Sequence, residues 1–244
     1  MVQVLEHSHT REAIHDRLAR GPRGSYLRDW IYGGIDGTVT TFAIVAGVVG
    51  AHMSASVLLI LGFANLLADG FAMAASNYTG TKSERDDYER ILGIERRHIA
   101  LEPDGEREEI RQIFAAKGFS GADLERVVAV ITADRALWAQ TMATEEYGLS
   151  PTPRSPVLAS ASTFIAFILC GCIPLLSYLT PGALIASVTA TGATFFGVGA
   201  IKSMWSPTGW LRSGLEVLVI GMSAAALAFV VGYGFRMLFD LPAG

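Results

Sequence analysis

Residues 30–50, WIYGGIDGTVTTFAIVAGVVG, form an apolar, glycine-rich run that contains one carboxylate, Asp36. A run of this length suffices for a helix that crosses a bilayer, which needs about 20 residues. With a rise of about 1.5 Å per residue, a helix starting at Trp30 puts Asp36 about 9 Å in, below the headgroups. An ionised acid at that depth costs at least about 2.5 kcal/mol unless it faces a polar cavity, a partner or a cation. Gly33 and Gly37 have the small-residue spacing that lets a second backbone come close. Either Asp36 lines a pathway, or the run is a tightly packed glycine helix with Asp36 tied to a hydroxyl such as that of Thr40.

Four further apolar runs, at about 54–80, 157–179, 182–204 and 211–237, are near or above spanning length. The chain is therefore expected to be an all-α integral membrane protein with five transmembrane helices. Residues 1–29 are polar and lack the apolar stretch of a signal peptide. With Leu5, Ile14 and Leu18 spaced among charges they read as an amphipathic surface helix. His7, His9 and His15 have no fixed spacing to other ligands and read as solvated or headgroup-facing. Five Lys/Arg precede Trp30, eleven lie at 82–154, and Lys202 and Arg212 fall between the last two spans. The positive-inside rule makes those regions cytosolic. The N-terminus is then inside and the C-terminus outside, with spans one and two at 30–82 and spans three to five within 151–244.

The second span repeats the oddity of the first with Asn65, Asp69 and Met73, four apart and so on one helix face. If spans one and two form an antiparallel hairpin, Met73 reaches the depth of Asp36, and Asp69 lies one turn deeper. Carboxylate with thioether suits a late first-row divalent ion such as Fe²⁺ better than Mg²⁺ or Ca²⁺. Met73 also reads as a gap-filling core methionine. Cys170 and Cys172 read as packing residues of the third span, and Pro174 as a kink or end to it. Gly192, Gly197 and Gly199 would permit close packing in the fourth span. Glu216 lies at the inner end of the fifth, its role open.

Between spans two and three, residues 83–150 form the one polar block; its stretch 84–146 holds fifteen Asp/Glu against nine Lys/Arg. Its pattern is helical throughout. The second span continues to Pro103, Asp104 can cap a helix running to Gly118, and Ser120, with Asp123 at the capping-box position, opens a third. This predicts a three-helix cytosolic insert. Glu95, His98 and Glu102 share a face of its first helix, Glu106 and Glu109 a face of the second, and Met142, Glu145 and Glu146 a face of the third. A solvated acidic surface accounts for such charges; a shared metal centre accounts for them and for the methionine.

The runs DGTVTTFAIVAG from Asp36, ANLLADGFAMAASNYTGTKSE from Ala64 and WAQTMATEEYGL from Trp138, with the acidic insert between, resemble the vacuolar iron transporter family, in what looks like a bacterial member. The resemblance implies a homodimeric five-span exporter in the plasma membrane, moving Fe²⁺ and often Mn²⁺ out of the cytosol against H⁺. Asp36 and Met73 match the membrane ligands of that family, and Glu95, Glu106, Glu109, Met142 and Glu146 match those of its insert. Three positions depart from the pattern: Asn65 and His98 stand where acids are expected, and Ala143 where a second methionine is.

A buried carboxylate favours its protonated form and a bound cation its ionised form, so the same residues can exchange metal for protons. The expected reading is a non-enzymatic, proton-coupled metal exporter with no permanently bound cofactor, metal as cargo, and lipid and a second copy as partners; no nucleic acid is expected. The rival reading is a membrane-anchored ferritin-like di-iron oxidase, suggested by the Glu-x-x-His pair Glu95–His98. Such a site requires two of these pairs and a glutamate from each of two further helices; the other Glu-x-x-His spacings, Glu6–His9 and Glu12–His15, fall in the polar N-terminal segment outside the insert.

Overall fold

The computed structural model describes residues 8–20, 24–150, 154–180 and 183–239, all of the regular structure among them helical. Leu5 and His7 lie outside these residues. The chain falls into two compact units, one of residues 26–81 with 156–244 and the other of residues 1–25 with 82–155.

The first unit holds α2 (Leu27–Gly50), the N-terminal part of α3 (Ala55–Leu101), α7 (Pro156–Tyr178), α8 (Ala183–Lys202) and α9 (Trp210–Phe239). These five helices are long and apolar enough to cross a membrane. At 47 residues α3 is about 70 Å long, more than twice the roughly 30 Å hydrocarbon thickness of a bilayer. It therefore continues far beyond any span it makes.

α2 is the most enclosed of the five and packs against α7, α8 and α9. Its glycines explain how. A Cβ on Gly33 would lie 2.2 Å from the carbonyl oxygen of Thr163, and one on Gly37 would lie 2.4 Å from that of Phe167, both on α7. At the other end, a Cβ on Gly232 of α9 would lie 2.2 Å from the carbonyl oxygen of Gly47. The close backbone approach expected at Gly33 and Gly37 is thus made within one chain. That face is already occupied, so these glycines do not serve contact between first spans of two copies. α7 runs through Pro174 without ending, and Ser187 of α8 donates to the Pro174 carbonyl at 2.9 Å. Of the three glycines in the fourth span only Gly199 is pressed against a neighbouring backbone, that of α9; nothing lies near a Cβ at Gly197. Glu216 is 3.5 Å from Lys202, both at the surface.

The second unit holds α1 (Arg11–Ala19), the C-terminal part of α3, α4 (Pro103–Ala116), α5 (Gly121–Ala133) and α6 (Arg135–Glu145). No residue of α1 is buried, and Leu18 is largely exposed. The core is formed by Tyr88, Ile91, Leu92 and Ile99 of α3, Ile110 of α4, Val128 and Ile131 of α5, and Trp138 and Met142 of α6. The insert departs from the expected three helices because the third is broken at Asp134. That residue is extended (φ −114°, ψ 113°), and its carboxylate accepts from the amides of Ala136 and Leu137. A short acid that can cap its own chain favours starting a new helix over continuing the old one. The Ser120 side chain makes no capping bond, and Asp123 is 3.4 Å from Arg126 instead of closing a capping box. Nor does Asp104 cap α4: Pro103 takes its first position and Glu102 is the cap residue.

If the α2–α7 contact carries the membrane unit, Gly37→Ala should lower stability by about 1–3 kcal/mol, since backbone must move. Gly197→Ala, in open space within a helix, should be neutral or stabilising by up to about 1 kcal/mol. Thermal unfolding of the purified protein in detergent checks the contrast.

Candidate functional site

The bend between α3 and α4 builds the one cluster of metal-capable side chains found among the described residues. Proline disfavours helical backbone in the residue before it. Glu102 accordingly leaves the α region (φ −132°, ψ 59°), yet the chain stays tightly wound, with the Glu102 amide bonded to the His98 carbonyl and the Glu106 amide to the Glu102 carbonyl. The turn folds Glu106 of α4 back onto Glu95 and His98, one helical turn apart on α3. Ligand atoms of these three residues lie within 4.8 Å of one another. His98 Nδ1 is 3.3 Å from Glu106 Oε1 and 4.0 Å from Glu95 Oε1.

The carboxylates are almost fully enclosed, Glu95 being 1% exposed and Glu106 5%. Both oxygens of Glu95, and Oε2 of Glu106, lack a hydrogen-bond donor. Burying acceptors this way is costly unless a cation or a proton satisfies them. Glu106 is pushed up to about 7, by burial first and then by the charges of Glu95 and Glu109. Glu146 is raised for the same reasons, burial leading and Glu95 and Glu109 following. Two carboxylates and an imidazole form a donor set suited to first-row divalent metals, with Glu109 and Glu146 near enough to add negative field.

Not every expected residue joins. Glu102 is exposed at the bend, and Glu145 is paired with Lys117. Met142 is wholly buried in the apolar core. Tyr147, which the sequence reading passed over, belongs with the group: its hydroxyl is pushed up to about 12 by burial and by the charges of Glu95 and Glu146. Its only sequence signal is its place directly after Glu146.

In the membrane unit Asp36 is half-buried, and Thr40 donates to its main-chain carbonyl at 2.8 Å, not to its carboxylate. The hydroxyl partner suggested for that carboxylate is therefore absent. Asp69 is near enough to act on Asp36 electrostatically. Asn65, Asp69 and Met73 form a half-buried stripe on α3, with Met73 against the apolar cluster around Phe42 and Phe167. The stripe continues to Asn77, whose amide donates to Asp29 of α2 at 2.9 Å and to Thr163 of α7 at 2.6 Å. Asp29, which the sequence analysis did not single out, lies in the first turn of α2. It is 1% exposed.

The Asp29–Asn77 bond corrects the expected levels. Counting from it, Asp36 is seven residues along α2, about 10.5 Å, whereas Asp69 is eight residues along α3, about 12 Å, and Met73 four, about 6 Å. Asp69, not Met73, stands level with Asp36. Equal depth for Met73 and Asp36 requires both helices to meet the bilayer at equal heights, and the Asp29–Asn77 bond offsets them.

Because Glu106 titrates higher folded than its ordinary 4.5, the folded insert holds more protons than the unfolded one between pH 4.5 and about 7. This group's effect is that metal-free stability falls as pH rises through that window and is level above it. A bound divalent ion removes the penalty by replacing the proton. Thermal unfolding with and without Mn²⁺ should therefore show a metal-induced rise in Tm that is larger at pH 8 than at pH 5, and Glu106→Gln should flatten the difference.

The profile of the VIT family matches residues 27–233. The chain is 34% identical to "Vacuolar iron transporter 1" of Arabidopsis thaliana over 211 residues, covering 84% of each chain. It is 31% identical to "Vacuolar iron transporter 2" of Oryza sativa subsp. japonica, covering 84% of this chain and 86% of the relative. A "Vacuolar iron transporter" of Toxoplasma gondii is 36% identical over 160 residues, 63% of this chain and 52% of the relative. None of the three is bacterial, so they lend no support to the bacterial origin expected above. With five helices fit to span a bilayer and a family profile matching from the first of them to the last, this chain is an integral membrane protein of the VIT family.

Proposed function

We propose that the protein exports Fe²⁺, and Mn²⁺ beside it, from the cytosol in exchange for protons, as a homodimer with its insert and N-terminus on the cytosolic side. The observation that carries this reading is the Glu95–His98–Glu106 cluster, two of whose three members are carboxylates buried within reach of each other and of the imidazole. Outside the spans it serves to collect cargo: the acidic block raises the local concentration of divalent ions, and the cluster binds them. Glu106, poised near pH 7, exchanges a proton for a metal ion at cytosolic pH. Translocation falls to Asp36 and Asp69, with Met73 and Asn65 on the same stripe. Two carboxylates level with each other in a low-dielectric setting exchange metal for protons by the same competition. The names of the relatives support iron as the cargo, and the uneven distribution of Lys and Arg supports the orientation.

Proteoliposomes holding the full-length protein test it, with metal and H⁺ flux followed under imposed pH gradients. Asp36→Asn should abolish flux while leaving insertion intact. Glu95→Gln with Glu106→Gln should raise KM about tenfold and leave the maximal rate within about twofold, because ions from bulk still reach the membrane carboxylates. Glu84→Gln with Glu89→Gln, on the exposed surface, should change neither. Equal effects of the two pairs would remove the insert cluster from the function, and metal flux indifferent to a pH gradient would remove the protons.

A further inference from the structure

Asn77 is the one residue in the membrane part of α3 whose side chain, among the described residues, hydrogen-bonds to other helices. Its amide nitrogen faces three acceptors: Asp29 Oδ1 at 2.9 Å, Thr163 Oγ1 at 2.6 Å and the Ala159 carbonyl at 3.2 Å. Thr81 donates to Asn77 Oδ1 at 3.2 Å, which holds the amide with its nitrogen toward α2 and α7. Asp29, Thr81 and Thr163 are all buried. In such surroundings, a register that breaks these bonds leaves polar groups orphaned.

Elsewhere this part of α3 meets α7 through side chains, with Gly62 against Leu175, Gly70 against Phe167, and Leu66 against Gly171. This packing favours the present register by shape, since a leucine moved to position 62 would press on Leu175, where even a Cβ lies 2.3 Å from Cδ2. Unlike the Asn77 bonds, it leaves no polar group orphaned when it slips. The stripe Asn65, Asp69, Met73, Asn77 repeats every four residues, so sliding α3 by about 6 Å puts each member where its neighbour stood. One such step brings Met73 level with Asp36, and the opposite step brings Asn65 there. A carboxylate favours hard ions and a thioether softer ones.

We propose that Asn77, held by Asp29 and Thr163, is the positioning residue that sets the axial register of α3 and thereby the metal selectivity of the membrane site. The selectivity half of this proposal rests on Asp36, Asp69 and Met73 being the pathway; the register half stands without it.

The test uses the full-length protein with Cys170 and Cys172 replaced by Ala. A Cβ on Gly62 would lie 3.3 Å from Leu175 Cγ, so Gly62→Cys with Leu175→Cys places two sulfurs within bonding reach. This pair should cross-link readily with Asn77 intact. Asn77→Ala should cut the yield at least about fivefold, raise it for a cysteine at Leu58 or Leu66 paired with that at 175, and shift the ratio of Mn²⁺ to Cd²⁺ flux at least about fivefold. The exchange Asp29→Asn with Asn77→Asp keeps an amide facing a carboxylate but loses the bond to the Ala159 carbonyl, and should restore both readouts in part. If Asn77→Ala does not insert, Asn77→Ser, which reaches fewer acceptors, replaces it. Unchanged cross-linking overturns the proposal, as does a uniform loss of flux for both ions with the 62–175 pair intact. A parent protein without metal flux would instead refute the transport reading, and the cross-links would still decide the register.

Discussion

The contact between α2 and α7 is the constraint on which the membrane unit depends. Without a Cβ at Gly33 and Gly37 the two backbones meet directly, and dispersion over that interface is strong because the surfaces are flat and close. The pair forms a rigid wall presenting Asp29 and Asp36 two helical turns apart. Among the described residues, α3 lies against it through side chains and the polar anchor Asn77.

The insert solves another problem with similar means. Its core is ordinary apolar packing from α3 to α6, and that core encloses Glu95 and Glu106 where water would otherwise screen them. Enclosure makes the cluster costly in its empty, ionised form and responsive to protons and cations. The surface pairs of the same unit, such as Arg111 with Glu108 and Glu125, are solvated and contribute little. Acidic composition is therefore a poor guide to which carboxylates matter; burial separates them.

Much of this was legible in the residues. Hydropathy alone marks five spans, because a bilayer requires about 20 apolar residues and backbone groups paired within the helix. Glu95, His98 and Glu106 could be named from helical spacing and a proline-marked bend. Glu102 and Glu145 are equally eligible by spacing, and the fold sets them apart from the cluster, Glu102 exposed at the bend and Glu145 beside Lys117. Asp134 is a residue type that caps helices, but the apolar periodicity on both sides of it masks the break.

The sequence by itself determined the all-helical class, the membrane habit and the set of residues able to bind metal, since these follow from residue chemistry and from periodicities of one helix at a time. The tertiary structure decided which of them meet. It filled the glycine face of α2 with α7 and not with a second copy, placed Asp69 and not Met73 level with Asp36, and drew Asp29 and Asn77 into a buried pair. Each is a matter of register between helices, set by steric fit and by hydrogen bonds between residues 48 to 86 positions apart, and no periodicity within a single helix encodes it.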